Sequence, residues 1–305
     1  MNKVLKLLFV SLILLQVVRA DYLEVTLLGT GTPRPSIERF GSATLVSAGG
    51  QNFLFDVGRG ATIRLQQAGI TPNQIDKVFL THLHSDHISG LDDLWITGWV
   101  WQRQKLLRVR GPIGTHQLVE GLREAYAADI SYRVANVNLD DDKAKIESVE
   151  IEPGVVYQQE GVTISAFLVE HAPVKPAYGY RVEFGDRSVV ISGDTTYSEN
   201  LVKHTQQVDL LIHEITAAAP SLLKRNKRLT NVVAYHTNPD QMADVLNKTK
   251  PRLAVLNHIL LFAVSEEQVI DEIKQQYSGE VAMGYDLMKI GVGNSIQIQR
   301  INVEN

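Results

Sequence analysis

The chain has 305 residues, a formal net charge of −4, 44% hydrophobic and 21% charged residues, and no cysteine. This is the composition of an ordinary globular protein with enough apolar residues for a sizeable core. The lack of cysteine excludes disulfides and a lipid-modified cysteine, and the slightly acidic balance argues against a polyanionic partner such as nucleic acid.

The first twenty residues have the layout of a secretory signal peptide. Lys3 and Lys6 precede the apolar stretch 7–18, and Val18 and Ala20 are small residues at the positions that a signal peptidase inspects. This stretch is shorter than the roughly 20 residues that a membrane span needs, so we expect no stable span; a retained anchor is the alternative. We predict cleavage after Ala20, a periplasmic or secreted bacterial protein, and a single domain over residues 21–305.

Strands and helices alternate along the rest of the chain. Apolar and alternating runs predict strands at 22–28, 43–47, 51–57 and 77–80, with a helix at 60–68. Helices at 91–101 and 115–128 and an acidic loop at 139–143 precede strands at 147–152, 162–170, 178–184 and 188–192. The second half adds strands 208–212 and 253–257 and helices 239–247 and 266–276. This pattern predicts an α/β fold with two sheets packed face to face and helices on both outer faces.

The most informative segment is THLHSDHISG, which follows a short apolar run. It places His82, His84, Asp86 and His87 within six positions. Histidines two apart on an extended strand end point to the same side, and the turn through Ser85 can direct the next two side chains to a second point. Imidazole and carboxylate ligands suit zinc, with manganese and iron as alternatives. We therefore predict a metal site.

This HxHxDH run resembles the signature of the metallo-β-lactamase superfamily. VEHAPVKPAYGYR, ISGDT and VLNHI are similar to its third-motif histidine, bridging aspartate and last ligand segments, in the expected order. The resemblance implies a four-layer αββα sandwich with two zinc ions at one edge of the two sheets. The implied ligands are His82, His84 and His171 for one ion, Asp86, His87 and His258 for the other, and Asp194 as the bridge.

The isolated residues also have simpler interpretations. A single histidine is more often a core or surface residue than a ligand, and Asp194 between Gly193 and Thr195 could merely form a turn. His171 and His258 both come just after an apolar strand, which favours the ligand role. Asp56 in FLFDVGRG is expected to orient a ligand histidine, as its equivalent does in the superfamily.

Two further segments resemble the ribonuclease Z branch and its arylsulfatase-type relatives. Glu214 in LLIHEIT is similar to their HEAT segment, and His236 in VAYHTNPDQ to their HST segment; Ile215 departs from the usual alanine. There the glutamate orients a histidine that protonates a leaving oxygen. The resemblance thus implies His236, Glu214 and Asp86 as catalytic residues, and leaves His213 open between a pocket and a structural role.

The implied chemistry is hydrolysis. A water shared by two zinc ions loses a proton near neutral pH and can attack phosphorus, sulfur or an acyl carbon, while His236 protonates the leaving group. The segments TLLGTGTPRPSIERFG, DLWITGWVW and GPIGT look most like the secreted arylsulfatase-type group. We therefore expect a hydrolase of small anionic sulfate or phosphate esters. The alternatives are a ribonuclease Z-like phosphodiesterase or nuclease, then a lactonase, then a zinc-binding protein without catalysis.

The substrate expectation also rests on chain length between motifs. Only 22 residues separate His171 from Asp194, too few for the long arm that holds the tRNA elbow in tRNA-processing members, which again argues against nucleic acid. A homo-oligomer is compatible with the sequence. Residues 217–233 form a candidate lid, whose cations are either a solvated surface or a site for an anionic group: Lys224, Arg225, Lys227 and Arg228.

Two features near the metal segment have open interpretations. Trp95, Trp99 and Trp101 form either core packing of a helix or an aromatic wall of the substrate pocket. The glycines of residues 28–31 resemble a phosphate loop only superficially, and a tight turn is expected there.

Overall fold

A computed structural model of the chain describes residues 23–303. The signal peptide and its cleavage after Ala20 fall outside the described residues and stay predictions. Within residues 23–303 the strands are β1 (Leu23–Gly29), β2 (Ala43–Ala48), β3 (Gln51–Phe55), β4 (Lys77–Phe79), β5 (Leu107–Gly111), β6 (Ile146–Glu150), β7 (Gly154–Gln159), β8 (Val162–Leu168), β9 (Tyr178–Phe184), β10 (Arg187–Ile191), β11 (Leu210–Ala218), β12 (Leu253–Phe262), β13 (Val281–Met283), β14 (Met288–Val292) and β15 (Ile296–Arg300).

The helices of the described residues lie between these strands. They are α1 (Ala61–Gln67), α2 (Ser85–Ile88), α3 (Leu91–Val100), α4 (Thr115–Ala125), α5 (Ala127–Val137), α6 (Glu199–His204), α7 (Pro220–Leu223), α8 (Lys227–Val233), α9 (Pro239–Thr249) and α10 (Glu266–Lys274). Two short 3₁₀ turns, Pro72–Gln74 and Asp141–Ala144, complete the set. None of the helices described in residues 23–303 is long and apolar enough to cross a bilayer.

The strands form two sheets that face each other. The first sheet has the order β15-β14-β1-β2-β3-β4-β5-β6, and the second has β13-β12-β11-β10-β9-β8-β7. Side chains from both inner faces, including Phe55, Phe79, Ile164, Tyr180 and Val255, form one apolar core between the sheets. Central strands such as β1 and β11 are buried at nearly every position, whereas the edge strand β6 alternates between buried and more exposed positions.

The helices cover the two outer faces. Leu65, Leu94 and Val119 of α1, α3 and α4 pack on the first sheet. Leu246 and Val269 of α9 and α10 pack on the second. The predicted α/β fold with four αββα layers is therefore confirmed.

Several element boundaries differ from the prediction. The strands predicted at 208–212 and 253–257 run on as β11 and β12 to Ala218 and Phe262, because the polar residues just beyond the predicted ends are buried within them. The helix predicted at 115–128 is two helices, α4 and α5, that meet at Tyr126.

Trp95 and Trp99 do not form an aromatic wall of the substrate pocket. Trp95 and Trp99 are core residues at 0% and 2% exposure, and their indole N–H groups donate to the carbonyls of Ala144 and Asp140. Trp101 is half-exposed at the end of α3. Of the two interpretations, core packing is the one the structure supports, because a buried indole must satisfy its N–H inside the protein.

Arg103 links α3 to the 3₁₀ turn Pro72–Gln74 and the residue after it. Its buried guanidinium donates hydrogen bonds to four backbone carbonyls, those of Pro72, Ile75, Leu94 and Trp95. Burial lowers the pKa of this side chain to about 10. The fit requires Gly98, because a Cβ there would lie 1.8 Å from Arg103 Nη2.

We expect Arg103→Met to lower the free energy of unfolding by about 3–5 kcal/mol, because four buried carbonyls lose a charged donor. Urea denaturation of the variant measures this loss. Arg123→Met, on the exposed face of α4, is the matched control and should change stability by less than about 0.5 kcal/mol. Equal effects of the two substitutions would show that the Arg103 bonds add nothing.

Candidate active site

The candidate site lies where the carboxyl ends of β4 and β10 meet. The amide of Tyr178, at the start of β9, donates to the carbonyl of Thr81, just after β4, at 2.9 Å, which joins the two sheets. Gly193 approaches the same point with φ of 61°, and a Cβ there would lie 2.6 Å from the Tyr178 carbonyl oxygen. Only glycine fits this crossing of the two backbones. The loops that leave it carry the predicted ligands.

A first group of donor atoms comes from both sheets. His84 Nδ1 lies 3.0 Å from His82 Nε2 and 3.4 Å from His171 Nε2. Asp194 Oδ2 is 3.8 Å from His82 Nε2 and 3.9 Å from His171 Nε2. These four residues are the first predicted ligand set together with the predicted bridge, although His84 and His171 are 87 positions apart.

A second group adjoins the first. Asp86 Oδ2 lies 3.0 Å from His258 Nε2 and 3.6 Å from His87 Nε2. Asp194 Oδ2 is 3.4 Å from His87 Nε2 and 3.5 Å from His258 Nε2, so one carboxylate oxygen faces both groups. All seven predicted ligands are thus brought together.

The donor set suits divalent ions. A tetrahedral ion with bonds of about 2.0–2.1 Å separates its ligand atoms by about 3.3–3.5 Å, within the spread of the distances above. His87 Nε2 and Asp194 Oδ1 are buried without a hydrogen-bond partner among the described residues, which is costly unless an ion satisfies them. Burial also lowers the pKa of His82 and His171, which favours the neutral imidazole that binds metal.

The outer nitrogens of three histidines are held by protein atoms. His87 Nδ1 lies 2.7 Å from Asp56 Oδ2, which matches the orienting role expected of Asp56. His82 Nδ1 lies 3.0 Å from Thr81 Oγ1, and His171 Nδ1 lies 3.1 Å from the Tyr235 carbonyl oxygen. Sequence reasoning missed Thr81 and Tyr235, since a threonine beside a motif and a backbone carbonyl carry no specific signal. Such contacts fix ring orientation and tautomer.

His258 reaches the site through an irregularity in β12. In the pairing of β11 with β12, Glu214 lies opposite Asn257 and Ile215 opposite Ile259, so His258 is an extra residue. Its φ is +43°, in the left-handed region. A bulge of this kind redirects one side chain within a continuing strand.

His236 and Glu214 form a buried pair beside the cluster. His236 Nδ1 lies 2.9 Å from Glu214 Oε1, which also accepts hydrogen bonds from the amides of Thr195 and Thr237. Burial alone would lower the pKa of His236, but the charge of Glu214 and its hydrogen bond outweigh burial and raise it to about 9. A ring nitrogen of His236 lies within 4.8 Å of the ligand atoms of Asp194 and His258. A carboxylate therefore holds the His236 ring in place beside the ligand cluster.

His213 precedes this pair on β11. Its Nδ1 lies 2.7 Å from the Glu214 carbonyl oxygen, and burial lowers the pKa of its ring. The side chain is 1% exposed, so of its two interpretations the structural one holds.

The candidate lid consists of α7 and α8. Leu229 anchors α8 by its buried side chain, while the four cations of the segment are exposed. The segment ends at half-buried Tyr235, whose ring centroid is 5.2 Å from that of His171. Burial raises the pKa of the Tyr235 hydroxyl, Asp194 raises it further and Arg228 lowers it. Tyr235 therefore packs against a predicted ligand histidine directly after the lid.

The two sheets, the outer helices and the His/Asp metal-binding cluster define a metal-dependent hydrolase of the metallo-β-lactamase fold. A family model described as anti-Pycsar protein Apyc1 matches residues 23–231. The chain therefore belongs to the anti-Pycsar protein Apyc1 family.

Similar proteins bear the name ribonuclease Z. The one from Mycobacterium sp. (strain KMS) is 39% identical over 240 residues, 78% of this chain and 84% of that protein. The one from Mycobacterium bovis (strain BCG / Pasteur 1173P2) is 35% identical over 275 residues, 88% and 98% of the two chains. The short form of human tRNase Z is 25% identical with a TM-score of 0.65, over 88% of this chain and 99% of that one. The metallo-β-lactamase fold protein YhfI from Bacillus subtilis is 20% identical, with a TM-score of 0.70 over 89% and 99%.

These relatives overturn the expectation about nucleic acid. We argued against a nucleic acid partner from the net charge of −4 and the short His171–Asp194 connection, and that prediction is wrong, because relatives of this chain are named ribonuclease Z and tRNase Z. The physical reason is that net charge is a sum over the whole chain and does not show local clusters, such as the four cations within residues 224–228. The arylsulfatase expectation finds no support among these relatives.

Proposed function

We propose that the protein is a metal-dependent phosphodiesterase that hydrolyses phosphodiester bonds of RNA. The observation that carries this proposal is the His236–Glu214 pair beside the cluster. A ribose hydroxyl is a poor leaving group, and a positioned acid accelerates its departure. The names of the ribonuclease Z relatives support the same reaction class.

The metal assignment is part of the proposal. One ion would be held by His82, His84 and His171, a second by Asp86, His87 and His258, and both by Asp194, with zinc as the expected metal. Bound ions would polarise a phosphoryl oxygen and lower the pKa of a bound water. Asp86, at the edge of the second group, is proposed to orient the attacking water as well as to bind metal.

The remaining steps belong to the protein's own side chains. Glu214 accepts from Nδ1 of His236, so Nε2 is the nitrogen that carries the transferable proton. The amides of Thr195 and Thr237 hold Glu214 itself in place. His236 thus delivers its proton to the leaving oxygen from a fixed position, and Glu214 acts as its positioning residue.

The lid supplies contacts that suit a polyanion. Lys227 and Arg228 on α8 are exposed, and α8 leads to Tyr235, whose ring centroid lies 5.2 Å from that of His171. Lysine and arginine neutralise backbone phosphates, and aromatic rings stack on bases. We therefore assign the lid to the nucleotides that flank the scissile phosphate.

The lid assignment predicts a salt-dependent effect. Lys227→Glu/Arg228→Glu should raise KM for an RNA oligonucleotide and reduce the slope of log KM against log salt by about one per lost phosphate contact. KM for bis-p-nitrophenyl phosphate, which has no flanking phosphates, should stay unchanged. Lys203→Glu, exposed on α6, is the control for a charge reversal outside the lid. An equal rise in both KM values would indicate that the substitutions disturb the fold instead of removing phosphate contacts.

The proposed reaction is tested with residues 21–305 and a substrate panel. The panel contains an RNA oligonucleotide, a precursor tRNA, bis-p-nitrophenyl phosphate and p-nitrophenyl sulfate, with zinc content measured on the same sample. We expect the phosphodiesters to be cleaved with at least one metal bound. Dominant turnover of the sulfate ester would reject the proposal.

A further inference from the structure

A small, largely enclosed cavity lies behind the metal cluster, between the inner edges of the two sheets. It offers about 10 Å³ to the centre of a water molecule, about the space that one water needs. Its twelve lining residues include Asp194, Glu214, Asn257 and His258, together with the apolar side chain of Ile212. All four of these polar residues are at most 6% exposed.

Each of these polar residues has one atom without a partner. Glu214 Oε2, Asn257 Oδ1 and His258 Nδ1 are buried and make no hydrogen bond to any residue of 23–303. His258 Nε2 faces the carboxylates of Asp86 and Asp194, so the hydrogen of a metal-binding imidazole would sit on Nδ1. Asp194 Oδ1 is a fourth such atom, which we assigned above to a bound ion. One donor and two acceptors are therefore left for the cavity.

His258 also differs from the other buried histidines of the cluster. The outer nitrogens of His82, His87 and His171 each contact a protein oxygen, whereas that of His258 is buried without one. A metal-binding histidine almost always donates its second N–H to a carboxylate, a carbonyl or a water. One water has two hydrogens to donate and lone pairs to accept, which matches one donor and two acceptors.

We propose that a single buried water occupies this cavity, accepts a hydrogen bond from His258 Nδ1 and donates to Glu214 Oε2 and Asn257 Oδ1. Glu214 then positions two groups through its two oxygens: His236 directly through Oε1, and His258 through the water. Asn257 is a positioning residue for the second metal. The inference rests on the metal assignment proposed above, and it links the proton donor to that metal through one carboxylate.

The water should be visible and its loss should be measurable without any assay of turnover. A high-resolution crystal structure of the zinc-loaded protein should show one water within hydrogen-bond distance of all three atoms. In chelator competition, Asn257→Leu should weaken the second zinc site by about 10–100-fold, the usual effect of losing an outer partner of a ligand. Ile212→Val, which changes the same cavity without a polar atom, should bind both ions as the wild type does.

Asn257→Asp separates hydrogen bonding from packing. It keeps an acceptor of the same shape, so it should hold the second ion at least as tightly as the wild type. A dry cavity in the crystal, or equal loss of zinc affinity in Asn257→Leu and Asn257→Asp, would overturn the inference. If the crystal structure shows the water and both ions but the protein cleaves no phosphodiester, the proposed function is rejected and this inference is supported.

Discussion

His236→Ala should lower kcat for RNA cleavage by about 10²–10⁴-fold while the bound zinc is retained. The rate should fall because Glu214 Oε1, 2.9 Å from His236 Nδ1, holds this ring as the proton donor. The zinc should stay because His236 is not one of the proposed metal ligands. The loss should depend on the leaving group. A ribose hydroxyl needs a proton as it leaves, whereas p-nitrophenolate does not, so kcat for bis-p-nitrophenyl phosphate should fall far less.

The comparison of the two substrates is the decisive measurement. His116→Ala removes an exposed histidine at the start of α4 and is the control for the substitution itself. Equal losses of kcat on both substrates would contradict a proton-donor role and point to a disturbed metal cluster. Zinc content, measured on each variant, distinguishes that cause from loss of the acid.

The layered fold could be predicted because its strands and helices follow regular apolar periods. Strand β9 was predicted at its observed limits because apolar and polar residues alternate along it. The ends of β11 and β12 could not be predicted, because Glu214 and His258 are polar residues inside buried strands. A bulge also interrupts the two-residue alternation from which strands are predicted. Trp95 and Trp99 likewise show that residue spacing identifies one face of a helix, but not whether that face packs in the core or lines a pocket.

The site was predictable to different degrees. His82, His84, Asp86 and His87 are adjacent in sequence, so their chemistry can be argued from spacing alone. His258 and Asp86 are 172 positions apart, and in the sequence only the family resemblance assigns them to the same metal ion. The outer contacts from Thr81 and Tyr235 depend on distances of a few ångströms that no sequence pattern encodes.

Asp194→Asn should reduce bound zinc from two ions to one or fewer and lower kcat by at least about 10³-fold. Asp194 Oδ2 lies 3.4–3.9 Å from a ring nitrogen of each of four histidines, so one negative charge serves both groups. Burial alone would raise the pKa of this carboxyl, but His258 and His87 hold it well below its usual range. Asparagine keeps the shape and removes the charge.

Two measurements on the Asp194→Asn variant detect the loss of the second ion. Metal analysis gives the stoichiometry, and thermal unfolding with added zinc gives its stabilisation, about 4 kcal/mol for an ion at 1,000 times its Kd. Asp240→Asn, exposed on α9, is the control for the same chemical change. If Asp194→Asn keeps two ions and the wild-type kcat, the shared carboxylate is dispensable. The two groups would then be separate sites, because without a common ligand nothing in the described residues would require both ions to act on one phosphate.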